Sequence, residues 1–392
     1  MHILIFWNEH WKYQIEAFNR SDITFDVMNV NQGLVEVSKC YNAKNIFSYN
    51  GPAWNKRTKE DEDNILKLYK KVLMENKYDY IFPAWMDSQL PALAIANEYF
   101  ELKGIRPEPL EHLSGKDTYG KILKKLNIST PIIFDSKDSA KFPVICKPSF
   151  GTGGEGIKVC YNLEELEQFL KDDNNQKFYP YILQEYIEGT IVCVVGTITN
   201  KVVSIDLMHE IEITNPPYCA ETAWKFPTEF RFLENLIEED LKTFSSYINL
   251  DNTPFMLDLV VDSFGKYYFI DFSPRISSSI YHLMYYTNNA NYFYNVFNKI
   301  VNGIDFEVNM KHSFLLRHFK FDTGIIKSIH YENVQNIKEL NLPAENDIVR
   351  EIKNDFDIHS NGYYSVIAGD SLDDVERVWD ILINSIQVEY QS

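Results

Sequence analysis

Cysteine, positive charge and long apolar runs are all in short supply in this chain, and each shortage removes a class of function. The five cysteines, Cys40, Cys146, Cys160, Cys193 and Cys219, are odd in number and show no paired metal-ligand spacing. That pattern excludes a disulfide scaffold or a zinc module and points to reduced thiols in a cytoplasmic protein. Lys and Arg total 38 against 56 Asp and Glu, a net charge of −18, so no nucleic acid and no anionic membrane is expected as the main partner. The opening run Ile3–Trp7 turns polar at Asn8-Glu9-His10, too short for a signal peptide, and no stretch approaches the roughly 18 apolar residues of a membrane span. Glycine is missing after that first strand, so a dinucleotide fingerprint is absent there. Internal repeats and low-complexity segments are lacking too.

What is present is ample core material: 392 residues, 45% hydrophobic and 15% aromatic, enough for two or three domains. Residues 1–110 alternate strand and helix patterns, with strands at 3–7, 24–30 and 78–82 and helices at 59–77 and 89–100, which predicts a parallel α/β domain. From residue 111 the pattern changes to a helix at 116–126, a glycine loop, a helix at 163–170 and a strand at 181–187. Strands at 191–198, 202–208, 254–261 and 266–272 follow, with a helix at 227–248 among them. Residues 305–392 read as strands near 312–321, 325–330 and 363–368 and a closing helix at 372–386. The fold class expected is therefore mixed, α/β and α+β.

Two segments carry the chemistry. In the first, Lys147 ends the apolar run Val144-Ile145-Cys146 and is followed by Pro148, Ser149, Gly151, Thr152, Gly153, Gly154 and Gly156. Glycines there let backbone N–H groups close on anionic oxygens without Cβ interference, and a phosphate is the partner that a Lys at the end of an apolar strand wants. The alternative is a strand-end Lys with its amine in water. In the second segment, Asp258 and Asp271 sit in two apolar runs joined by the turn Asp262-Ser263-Phe264-Gly265-Lys266. Both carboxylates can lie on one sheet face as hard oxygen ligands, or one of them can pair structurally with Arg275.

In this order and spacing the chain resembles the ATP-grasp superfamily, in particular its carboxylate–amine ligases, including amino-acid ligases. The pieces are Gly115-Lys116 before a helix ending at Pro131, the Lys147 loop, Gln184-Glu185-Tyr186-Ile187-Glu188-Gly189, and the strands of Asp258 and Asp271. The resemblance implies an ATP-grasp fold with an N-terminal parallel α/β domain (1–110), a small lid (111–185) and a large subdomain (186–304) forming the two jaws, and a C-terminal cap (305–392). It implies ATP and Mg²⁺ (or Mn²⁺), small carboxylate and amine substrates, and it admits a homodimer.

By the same resemblance Lys116 and Lys147 hold phosphates, with Lys121 the rival of Lys116, and Ser149, Gly151, Thr152, Gly153 and Gly154 form the cradle. Glu185, Tyr186, Ile187 and Glu188 form the adenine-side linker, Glu188 standing in for a ribose-binding Glu whose usual place is Ile191. Asp258, Asp271 and Ser273 are the implied metal ligands, Asp271 and Ser273 replacing the family's Glu and Asn. Arg275, fixed behind Pro274, is the implied catalytic group that steadies an acyl phosphate and its tetrahedral adduct. His209, Glu221 and Ser278 are the substrate-side candidates. A carboxylase or small-molecule kinase, and a silent ATP-binding regulator, are the rival readings. A carboxylase would need a separate carrier, because no Met-Lys-Met biotinylation segment occurs.

Overall fold

The computed structural model describes residues 1–7, 18, 20, 22–30, 43–49, 59–83, 89–113, 115–149, 151, 153–176, 179–277, 279–289 and 291–391. Of the site candidates, Thr152 and Ser278 lie outside the described residues, as do Cys40 and the polar turn Asn8-Glu9-His10.

The N-terminal strands β1 (His2–Trp7), β2 (Thr24–Val30), β3 (Ala43–Tyr49) and β4 (Tyr80–Phe82) form one parallel sheet in the order β3-β2-β1-β4. Helices α1 (Lys59–Glu75) and α2 (Leu90–Tyr99) connect and flank them. Ile3, Leu4 and Ile5 of β1 and all of β4 are buried, as their unbroken apolar runs require in a covered parallel sheet. β3 was not foreseen. It is an edge strand with Lys44, Asn45 and Ile46 exposed, so it lacks the apolar run that marks an inner strand.

Helix α3 (Lys116–Lys125) follows extended Gly115 and buries Tyr119, Ile122 and Leu123, one face at helical spacing, while Lys124 and Lys125 complement the C-terminal dipole. A small four-stranded sheet then forms from β5 (Ile133–Phe134), β6 (Val144–Pro148), β7 (Lys158–Cys160) and β8 (Tyr181–Glu185), in the order β5-β8-β6-β7. Helix α4 (Leu163–Lys171) covers it through buried Leu166, and Asn162 caps that helix by accepting from the Glu165 N–H at 2.9 Å.

The largest sheet has eight strands. Its first five are β9 (Thr190–Thr199), β10 (Val202–Ile213), β11 (Glu221–Phe226), β12 (Thr253–Val261) and β13 (Tyr267–Ser273). The expected helix at 227–248 is a 3-10 turn, Glu229–Leu233, leading into α5 (Glu234–Tyr247). Helices α6 (Ser279–Tyr286) and α7 (Tyr292–Asn302) follow the site strands. Beyond them come β14 (Ser313–His318), β15 (Gly324–His330), β16 (Ile337–Asn341), β17 (Ile348–Val349), α8 (Asp355–Asn361), β18 (Tyr364–Gly369), α9 (Leu372–Ser385) and β19 (Gln387–Tyr390).

The large sheet runs β13-β12-β9-β10-β11-β14-β18-β16. Pairing of β11 with β14 carries it without a break past position 304 into the C-terminal residues. β9 lies inside this sheet and is buried on both faces from Val192 to Thr199. That explains its unalternating sequence. Among the described residues no helix is long and apolar enough to cross a membrane, and Cys146, Cys160, Cys193 and Cys219 form no disulfide.

Candidate active site

The site lies where the small sheet faces the β12–β13 hairpin. Lys147, near the end of β6, is 6% exposed, and its Nζ donates to the carbonyl of Ile270 at 3.3 Å across the cleft. Burial, and then the nearby Lys116 ammonium, lower its pKa from 10.5 to about 8. Lys116, at the start of α3, reaches the same hairpin and pairs with Asp271 at 2.7 Å. Its backbone N–H donates to Ser149 O at 3.0 Å, and the Ser149 hydroxyl donates to Asp117 at 2.6 Å. Two lysines from separate elements thus converge on one place. Lys121 instead pairs with Asp117 at 3.2 Å, with its side chain 72% exposed, so it does not join them.

Asp258 and Asp271 are direct register partners across β12 and β13, which puts their carboxylates on one face about 5 Å apart at Cβ. Burial, and then the charge of Asp271, push Asp258 up to about 7. Its Oδ1 is buried with no hydrogen-bond partner. Such an orphaned oxygen beside a second carboxylate fits a hard cation. Among the described residues no group of three or more His, Cys, Asp or Glu could hold a metal. Two carboxylates with the Ser273 hydroxyl nearby in sequence would suit Mg²⁺, which binds through one or two carboxylates and completes its shell with phosphate oxygens and water. Arg275 follows directly, and its guanidinium draws the pKa of both Asp258 and Glu221 downward. The described ion-pair partner of Asp271 is Lys116.

The glycine loop has positive φ at Gly153, Gly154 and Gly156, +65°, +68° and +72°, a conformation that side chains resist. At its other end, the small sheet runs into the linker Tyr186-Ile187-Glu188-Gly189. Glu185 donates its N–H to Ile132 O at 2.8 Å and accepts from the Ile132 N–H with one carboxylate oxygen at 3.2 Å. Tyr186 and Ile187 are half-buried and Glu188 is exposed. Gly189 is required by close approach: a Cβ there would stand 2.2 Å from the carbonyl oxygen of Val261.

The acceptor-side candidates separate into two situations. His209 occupies the same register row as Asp258, through Cys193 of β9, and so stands on the same face roughly 10 Å away. It is 1% exposed, its Nδ1 has no hydrogen-bond partner, and burial drives its pKa down to about 3, so the ring is neutral. Glu221 opens β11, and its carboxyl is held well above the usual range by burial and then by Asp355. Asp355, from α8, is itself pushed up to about 6 by burial, and its Oδ1 accepts from the Glu221 N–H at 2.7 Å. Sequence reasoning missed Asp355. The only signal was the Asn354-Asp355-Phe356-Asp357 helix start, which marks a capping box but says nothing of where the helix docks.

The chain is similar in sequence and fold to known proteins. Residues 114–279 match the model of the ATP-grasp domain. The C-terminal section of the carbamoyl phosphate synthase large chain from Methanopyrus kandleri is 24% identical over 204 residues, 47% of this chain and 37% of that protein. The chain thus spans little more than a third of that relative. The L-amino acid ligase from Bacillus licheniformis superposes with a TM-score of 0.79 at 16% identity, over 100% of this chain and 99% of that one. The biotin carboxylase domain of 2-oxoglutarate carboxylase from Hydrogenobacter thermophilus, solved as a dimer with MgADP and bicarbonate, gives 0.68 at 14% identity, over 99% and 90%. The matched segment is the one that carries both lysines, both aspartates and Arg275, and it is similar to the ATP-grasp domain.

Proposed function

We propose that the chain is an ATP-dependent carboxylate–amine ligase that forms an amide bond through an acyl phosphate, with an amino-acid-like carboxylate as donor. The observation that carries this reading is the meeting of Lys116 and Lys147 with the Asp258–Asp271 pair beside Arg275. Cations for phosphates, carboxylates for a metal and a guanidinium for a developing anion are the parts that phosphoryl transfer to a carboxylate needs. The spacing supports it as well. Lys147 lies opposite Ile182, and Glu185 lies opposite Val144, so the phosphate lysine and the linker are separated by three residues of one strand pair, roughly 10 Å. That suits a nucleotide laid along the sheet with its base at Glu185–Glu188 and its phosphates at Lys147.

Asp258, Asp271 and the Ser273 hydroxyl would hold Mg²⁺, which would supply neutralising positive charge to the phosphates. Lys147 and Lys116 bind the phosphate chain, Lys116 giving up its pairing with Asp271 as it does so. A carboxylate oxygen of the donor attacks the γ-phosphorus, and the bond to the bridging oxygen of ADP breaks. The amine nitrogen then attacks the acyl carbon, the carbon–oxygen bond to phosphate breaks, and the amine proton is lost, leaving amide, ADP and phosphate. Arg275 donates two parallel hydrogen bonds to the carbonyl oxygen as charge builds on it.

A carboxylase reading is kept because of the biotin carboxylase likeness, and a homodimer belongs with either. We place the activity in the cytoplasm, where ATP and reduced thiols are available. Phosphate release over paired amino acids, against bicarbonate alone, separates the two. Release that needs both a carboxylate and an amine supports the ligase, and release with bicarbonate alone overturns it.

A further inference from the structure

Behind the glycine loop a set of contacts joins three stretches of chain that are remote in sequence. Helix α8 opens with a capping box: the Asn354 side chain accepts from the Asp357 N–H and the Asp357 carboxylate accepts from the Asn354 N–H, both at 3.2 Å. Its first residue, Asp355, then reaches both halves of the candidate site. The Asp355 N–H donates to the carbonyl of Gly153 in the phosphate loop at 3.1 Å, and Oδ1 accepts from the Glu221 N–H at the head of β11 at 2.7 Å. The loop lies against the same surface. A Cβ on Gly154 would stand 3.7 Å from Cys219 O and 3.8 Å from the Cα of Asn354, and the Val159 N–H just beyond the loop donates to Pro217 O at 3.0 Å.

Gly153 and Gly154 are consecutive left-handed residues, so they have no side chains with which to anchor themselves and lose much freedom on ordering. An external anchor then decides the shape of the loop. The trans peptide is planar, with the Gly153 carbonyl and the Gly154 N–H pointing in opposite directions. Holding that carbonyl on α8 turns the Gly154 N–H away from α8. We infer that Asp355 is a positioning residue for the nucleotide: through its N–H it sets the direction of the phosphate loop, and through its carboxylate it fixes Glu221 and β11 in register with that loop. Docking of the C-terminal residues thereby shapes the phosphate cradle. This rests on the reading of 151–156 as a phosphate loop.

The backbone supplies a clean test. Asp355 is the first helical residue, where proline is tolerated, and Asn354 before it is extended, φ −156° and ψ 175°, as a residue preceding proline must be. Asp355→Pro removes both contacts and leaves the helix intact, Asp355→Ala removes only the carboxylate, and Asp355→Asn keeps an acceptor oxygen. In the full chain, MgATP affinity by calorimetry should fall about tenfold in Asp355→Pro, about threefold in Asp355→Ala and less than twofold in Asp355→Asn. Amide exchange over residues 151–157 should quicken in the same order, with the denaturation midpoint unchanged. Wild-type affinity and loop exchange in Asp355→Pro would overturn the inference, and so would losses in all three variants that follow a fall in midpoint. If the wild type binds no MgATP, the ligase reading fails separately, and the exchange comparison still decides whether Asp355 holds the loop.

Discussion

Replacing Lys147 with methionine should move ligand affinity and stability in opposite directions. The side chain is 6% exposed and its charged form is disfavoured by burial and by Lys116, so its pKa falls from 10.5 to about 8. A depressed pKa in a lysine means that the unfolded chain holds the proton more tightly than the folded one. The charged form therefore costs stability below pH 8, and that cost fades as pH rises from 8 towards 10.5. At 1.36 kcal/mol per unit the cost at pH 7 is of order 3 kcal/mol. Methionine, of similar length and without charge, relieves it, less about 1 kcal/mol for the hydrogen bond to the Ile270 carbonyl. The net expectation is a more stable protein by roughly 2 kcal/mol at pH 7, with the advantage shrinking above pH 8. MgATP, by contrast, loses a charge-assisted hydrogen bond of about 1.5 to 3 kcal/mol, which weakens binding roughly 10- to 150-fold. Chemical denaturation at pH 7 and 9.5 with calorimetric titration of MgATP measures both. Unchanged MgATP affinity would refute the phosphate role, and a destabilised variant would refute the account of why this lysine is held in a dry cleft.

Asp271→Asn and Asp258→Asn should each abolish ATP turnover while the fold is retained, because an amide cannot supply the negative charge that Mg²⁺ requires; near-normal turnover at ordinary Mg²⁺ in either variant would make that acid structural. Arg275→Lys should leave MgATP affinity within about twofold and lower turnover about 10²-fold, since an ammonium cannot reproduce the planar two-pronged donor, and a fall in melting temperature that accounts for the whole loss of turnover would make Arg275 a structural residue.

The parts of the site legible in the sequence are those that lie close together along the chain and break a local rule. Lys147 interrupts an apolar strand and is followed by glycines that a regular strand would not carry. Asp258 and Asp271 interrupt two apolar runs around a turn, which fixes a hairpin and so brings the acids opposite each other. The N-terminal parallel sheet was legible for the same reason, except β3, whose exposed residues give no apolar signal. What was hidden depends on distant partners. Asp355 meets Glu221 across 134 residues of chain, and no local pattern marks which carboxylate will be buried against another. Strand β11 likewise depends on a distant partner, since its Lys225 is held by Glu210 of β10 at 3.1 Å. The pairing of Lys116 with Asp271 likewise follows from how α3 lies over the hairpin, not from either residue's neighbours.

The central claim is that ATP activates a carboxylate for attack by an amine. It is tested most directly by following label from an ¹⁸O-carboxylate amino acid into phosphate, in the presence of MgATP and a second amino acid. The account predicts one labelled oxygen in each phosphate released, with amide and ADP formed in equal amounts. Phosphate released without label, or ATP bound and never consumed across the amino acid pairs, would contradict it.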